Sequence, residues 1–136
     1  LGTDISTKVL NRAVTGIYPM KAAESIDRQK LKRFFLRGKG EREGFIRVKK
    51  DIASMVTFKR LNLMEQFSFD RGFDYILCRN VMIYFDTPMR KSVVQMFYNQ
   101  LASDGTLIIG HSESLSDLGV PFISRDLPKG FCYTKA

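Results

Sequence analysis

The 136 residues carry 44% hydrophobic and 26% charged side chains, the balance of one globular domain large enough to bury a core without disulfides. That composition excludes disorder as the main state, and no run approaches the roughly 18 apolar residues of a membrane-spanning helix. The net charge of +8 is localised: 12 Lys/Arg stand against 3 Asp/Glu between Arg28 and Arg60, and 10 against 11 elsewhere. One surface is therefore either built to meet something acidic or simply a solvated face.

In chain order, Leu1–Asp4 reads as a strand end, and the absence of an initiating Met leads us to expect the C-terminal portion of a longer protein. Ser6 or Thr7 is a plausible N-cap for a helix carrying Val9, Leu10, Ala13 and Val14, which Gly16 stops. Tyr18-Pro19-Met20 predicts a turn, and Lys21–Leu36 one or two short basic helices with Ile26, Leu31, Phe34 and Phe35 inward. Residues 46–49 alternate apolar and basic, as a half-exposed strand does, and 55–58 is a second short strand. Together they predict an inserted antiparallel β-subdomain over 37–58.

From Phe73 the pattern changes. Phe73–Cys78 reads as a strand buried on both faces. Thr87-Pro88 is expected to cap and open a helix striped with Val93, Val94, Phe97, Tyr98 and Leu101, which Asp104-Gly105 ends. Strands are expected next at 106–110 and 131–134. Strand, helix, strand implies a parallel α/β sheet.

Ligands of such sheets sit beyond the carboxyl ends of the strands, which selects Asp4, Arg79-Asn80 and His111-Ser112-Glu113. Asp4 reads either as a helix cap or as an acceptor for ribose hydroxyls. The Gly38-x-Gly40-x-x-x-Gly44 spacing is no phosphate loop, because it precedes a strand instead of opening a helix. Cys78, Cys132 and His111, the only cysteines and histidine, do not make a zinc site. The cysteines read either as buried thiols of a reducing cytoplasm or as a disulfide.

The string from Phe73 through Arg79-Asn80-Val81-Met82-Ile83-Tyr84-Phe85 to Asp86 resembles the signature of the chemotaxis receptor methyltransferases, the CheR family. Gly2–Ser6, Val56-Thr57-Phe58 running to Asn62-Leu63, and Asp104-Gly105 through Gly110–Ser114 agree in order and spacing. The resemblance implies a Rossmann-like class I sheet and cytoplasmic transfer of a methyl group from S-adenosylmethionine to receptor glutamates, with S-adenosylhomocysteine as the product. It places Asp4 on the cofactor ribose, Asn62 and Leu63 along the adenine, Arg79 and Asn80 at the end of the fourth strand, and Tyr84 near the transferring methyl. It gives the basic stretch a partner in methyl-accepting receptors, through Arg37, Arg42, Arg47 and Lys49, by methylation helices or a C-terminal tail added as a strand. The family's first, central strand, its glycine-containing loop and its helical N-terminal domain are expected before Leu1, the strand lying between those ending at Asp4 and Cys78. The competing readings are a catalytically silent fragment that still grips receptor tails and a basic RNA-binding module. Against the latter, Phe34, Phe35, Phe45 and Phe58 look like core and no stacking platform is readable; neither nucleic acid nor membrane insertion is expected.

Overall fold

The computed structural model describes residues 1–127 and 130–136. It divides into two compact units, residues 1–62 and 63–136.

In the first unit, strand β1 (Gly2–Asp4) leads into helix α1 (Thr7–Thr15). Ser6 is the N-cap, its Oγ accepting the Val9 N–H at 3.4 Å, and Gly16 closes the helix in the left-handed region. Strand β2 (Ile17–Pro19) comes next, where the sequence predicts a turn. Pro19 is tolerated because, among the described residues, β2 pairs only with β4, so its missing N–H interrupts no ladder on the other side. A 3-10 turn (Met20–Ala23) precedes α2 (Arg28–Phe34), which Asp27 caps by accepting from Gln29 and Lys30. The chain then extends as β3 (Phe35–Arg37), turns, and returns as β4 (Phe45–Val48).

The antiparallel sheet has the order β2-β4-β3. It therefore draws its strands from 17–48, not from the 37–58 expected of the insertion. After α3 (Lys50–Ala53), the strand expected at 55–58 begins only at Phe58. This β5 (Phe58–Arg60) lies parallel to β1, with Asp4 opposite Arg60. The hydrophobic residues buried in this unit are Ala23 and Ile46. Phe34, Phe35 and Phe58 are half-buried, whereas Phe45, expected in the core, is exposed.

The second unit holds the main core. Strand β6 (Phe73–Cys78), helix α4 (Thr87–Gln100) and strand β7 (Leu101–Ile109) form a parallel crossover. The hairpin of β8 (Phe122–Leu127) and β9 (Gly130–Lys135) extends the sheet in the order β6-β7-β9-β8. Val93, Val94 and Leu107 are fully buried, with Met82 and Leu118 nearly so. The N-cap of α4 is Asp86, not Thr87: its Oδ1 accepts the Met89 N–H at 2.9 Å and Pro88 sits in the first turn.

The helix ends four residues before Asp104-Gly105, because Leu101 already pairs with Phe73 across a register irregularity. Gly105 lies inside that irregularity. A Cβ there would stand 2.7 Å from the Phe73 carbonyl oxygen and 2.9 Å from a Leu101 methyl, so no larger residue fits.

β6 is not buried on both faces. Tyr75 is 66% and Leu77 68% exposed: two residues apart, they share the sheet face opposite Ile76 and Cys78, and it is the latter face that packs into the core. Cys78 and Cys132 are buried free thiols, which removes the disulfide.

Candidate functional site

The first unit places Asp4 at the carboxyl end of the β1/β5 parallel pair, the position at which α/β sheets receive ligands. Half-buried Asp4 accepts the Ser6 N–H on Oδ1 at 2.7 Å, bracing the bend into α1. Ser6, not Asp4, is the helix cap, and Oδ2 has no protein partner among the described residues. The Leu61 N–H donates to the Asp4 carbonyl at 3.1 Å, so the end of β5 and the adjoining Asn62 are tied to the same strand end. Asp4 and Asn62 are thus brought together. A half-buried carboxylate with one open oxygen at a strand end is an acceptor that fits the hydroxyls of a nucleoside.

In the second unit, Leu63 packs against the hydrophobic core. Arg79 and Asn80 come directly after β6, and Tyr84 ends a 3-10 turn (Met82–Tyr84). Arg79 is exposed and makes no hydrogen bond or ion pair among the described residues, so no structural salt bridge accounts for it. Tyr84 is 81% exposed. Asn80 has φ +59°, a conformation non-glycine residues seldom adopt.

That conformation is held by a residue the sequence marks only by its position. Glu113 is only 4% exposed. Its Oε2 accepts the Asn80 N–H at 3.0 Å and the Gly110 N–H at 2.6 Å, and its Oε1 accepts the Met82 N–H at 2.8 Å. Burial of a carboxylate is offset only by such donors. The Cys78 thiol is pushed up to about 12, first by burial and then by the Glu113 charge, so it is not a nucleophile at neutral pH. His111 is exposed, with no hydrogen bond or ion pair among the described residues. The signal for Glu113 lay in its place, a few residues past a buried strand.

The basic surface belongs to the first unit. An open cavity of about 880 Å³ lies between α2 and the antiparallel sheet, floored by Leu31 and Ile46 and ringed by Arg28, Lys32, Arg37 and Lys39, with no acidic residue in its lining among the described residues. Arg37, Arg42 and Arg47 are exposed and unpaired among the described residues. Lys49 differs: its Nζ donates to the Lys32 and Arg33 carbonyls at 3.0 and 2.8 Å, and its N–H to that of Phe34 at 2.9 Å. It closes the C-terminus of α2. The turn between β3 and β4 places Gly40 and Gly44 at positive φ and opens no α-helix, in line with a tight connection and not a phosphate loop.

A family model described as "CheR methyltransferase, SAM binding domain" matches residues 1–131. The chain belongs to the CheR methyltransferase family. Its α/β sheets are accordingly of the Rossmann-like class I type, and the family's cofactor is S-adenosylmethionine. Relatives named chemotaxis protein methyltransferase include one from Salmonella typhimurium, 43% identical over 124 residues, and one from Escherichia coli, 42% identical over 124. Each alignment covers 90% of this chain and 43% of the relative. One from Borreliella burgdorferi is 41% identical over 116 residues, covering 85% of this chain and 40% of the relative. The CheR chain thus spans less than half the length of these relatives. A solved S-adenosylmethionine-dependent methyltransferase from Clostridium acetobutylicum superposes over 96% of this chain and 42% of its own at a TM-score of 0.45 and 16% identity, too loosely to bear on function. Among the described residues, no helix of this CheR chain is long and apolar enough to cross a membrane.

Proposed function

We propose that this chain is the cofactor-binding portion of a cytoplasmic enzyme that converts glutamate side chains of methyl-accepting chemotaxis receptors into glutamyl methyl esters. The observation that carries the reading is that Asp4, Asn62, Arg79 and Asn80 each lie at or just beyond the carboxyl end of a parallel strand, in a chain of the CheR family. Bound S-adenosylmethionine supplies an electrophilic methyl group on a cationic sulfur. Asp4 accepts from the ribose hydroxyls, Asn62 and Leu63 flank the adenine, and Arg79 and Asn80 line the strand end.

A glutamate side chain ionises at about 4.3, so the receptor nucleophile needs no base. The chain's task is alignment, where effective molarity supplies on the order of 7–11 kcal/mol. Arg79 and Tyr84 offset the loss of hydration around the incoming carboxylate. Arg37, Arg42 and Arg47 meet the acidic receptor, Arg37 from the lining of the basic cavity, while Lys49 holds the end of α2. The outer edge of β3 is unpaired among the described residues and open to a peptide added as a strand.

An upstream strand of a longer protein would pair with the edge of β6 that is unpaired among the described residues. The 136 residues alone are expected to bind S-adenosylmethionine weakly and to transfer no methyl; micromolar binding by isothermal titration calorimetry overturns that expectation. In the longer protein, Asp4→Asn keeps a carbonyl for the Ser6 N–H and removes half of the acceptor capacity. Affinity for S-adenosylhomocysteine is expected to drop roughly tenfold with an unchanged circular dichroism spectrum. Unaltered affinity leaves Asp4 as a turn residue only.

A further inference from the structure

Among the described residues, the most buried charge in the second unit bonds to the backbone of the loop that carries the residues assigned to chemistry, not to their side chains. Glu113 takes two N–H groups from the loop after β6, those of Asn80 and Met82, and one from Gly110 at the end of β7. A single carboxylate therefore ties together the connections leaving two adjacent parallel strands. The packing around it is tight: a Cβ on Gly110 would collide with Asn80 Oδ1 and would lie 2.7 Å from Glu113 Oε2 and 3.0 Å from the Asn80 nitrogen.

Charge and shape both matter. Three donors converge on two oxygens, and the two donors on Oε2 come from different strand ends. A glutamine in the same place has one oxygen. Turned to keep Asn80 and Gly110, it points its NH2 at the Met82 N–H, donor against donor. Met82 begins the 3-10 turn that ends at Tyr84, and Asn80 sits at φ +59°. Without the brace, Asn80 has no reason to stay left-handed and the turn carrying Tyr84 has no fixed origin.

We propose that Glu113 is a positioning residue for methyl transfer, its carboxylate setting the backbone of 79–84 so that Arg79, Asn80 and Tyr84 project from one fixed loop. This rests on the roles proposed for those three residues in cofactor binding and transfer.

The test is made on the intact protein, after the wild type's affinity for S-adenosylhomocysteine and its methyl transfer have been measured; a wild type that binds no nucleoside overturns the functional reading before any substitution is introduced. Glu113→Gln is expected to raise amide hydrogen exchange at Met82 roughly tenfold or more, with smaller rises at Asn80 and Gly110, and to lower kcat and nucleoside affinity by a similar factor. Gly110→Ala, which keeps the carboxylate but displaces its partners, is expected to give the same kinetic losses and carries the test alone if the glutamine variant does not fold. General destabilisation would lower the melting temperature and raise exchange throughout the core, without singling out Met82. Exchange at Met82 unchanged, or changed while kcat and affinity stay within about twofold, refutes the proposal.

Discussion

Removing the Lys49 ammonium separates two roles that its charge alone leaves confounded. With seven residues, α2 is too short to persist by itself. Its last carbonyls, those of Lys32, Arg33 and Phe34, are all met by Lys49, two through Nζ and one through the backbone. Lys49→Met keeps the stem and the backbone bond and deletes the other two. Charge-assisted hydrogen bonds are ordinarily worth roughly 1.5–3 kcal/mol each, but both of these are solvent-exposed. Screening and competition from water reduce the pair to about 1 kcal/mol in total. For a chain of this size, that lowers the melting temperature by roughly 4 °C. The assay is thermal unfolding beside titration with a glutamate-rich receptor peptide at two salt concentrations. Lys49→Met is expected to melt earlier and bind nearly normally. Arg47→Ala, exposed and unpaired among the described residues, is expected to melt normally, bind several-fold more weakly and show a shallower salt dependence. A Lys49→Met protein with unaltered melting and lost binding refutes the assignment of Lys49 to the helix end.

The second unit yields two more expected outcomes. The Cys78 thiol, raised from 9.0 to about 12, stays protonated in the native state after the unfolded thiol has ionised; the native state then holds more protons, and stability falls as pH rises from about 9 toward 12, by up to about 1.4 kcal/mol per pH unit. Urea unfolding at pH 8 and pH 10.5 should show this loss in the wild type and less of it in Cys78→Ala. Leu107, with no exposed surface, shares the core cluster with Val93, Val94 and Phe97 of α4 and Tyr133 of β9; Leu107→Ala is expected to cost about 3 kcal/mol by chemical denaturation, and a cost under about 1 kcal/mol would mean that this core is not closely packed.

How far the sequence could be read depended on whether the deciding interaction was local. Ser6 bounds α1 through its hydroxyl and Gly16 through its missing Cβ, and Phe73–Cys78 and the Pro88 helix start were legible because strand propensity and proline at a first turn act within a few residues. Tyr18-Pro19 carries turn vocabulary, yet β2 forms because an edge strand tolerates proline. The strand Phe122–Leu127 mixes Ser124, Arg125 and Asp126 with apolar neighbours and shows no clean alternation; its pairing with β9 makes it a strand. Lys49 reads as one more surface cation until the carbonyls of α2 are seen around it. The strand-end positions of Asp4, Arg79 and Asn80 are legible because they are a matter of order along the chain, whereas Asn62 enters only through the family resemblance. Order also marks the position of Glu113, but not its role, because its Asn80 and Met82 partners stand 33 and 31 residues away and are backbone groups with no residue signature.

These two kinds of residue correspond to two demands of the proposed chemistry. A carboxylate that is already ionised needs neither a general base nor a tuned proton donor, so an exposed His111 and a Cys78 thiol held protonated are compatible with methyl transfer. Distance is what such a reaction cannot relax, since misplacement of the aligned atoms by about 1 Å can lower the rate on the order of a hundredfold. The placement of buried polarity in the second unit matches that demand. Its most enclosed charge among the described residues, Glu113, is aimed not at solvent or at a proton-transfer partner but at three backbone N–H groups where two strand ends release their loops. In the proposed reaction a rigid floor would place the reacting groups, and exposed cations would collect an acidic partner. The burial of Glu113 and the exposure of Arg47 are consistent with that proposed division of labour.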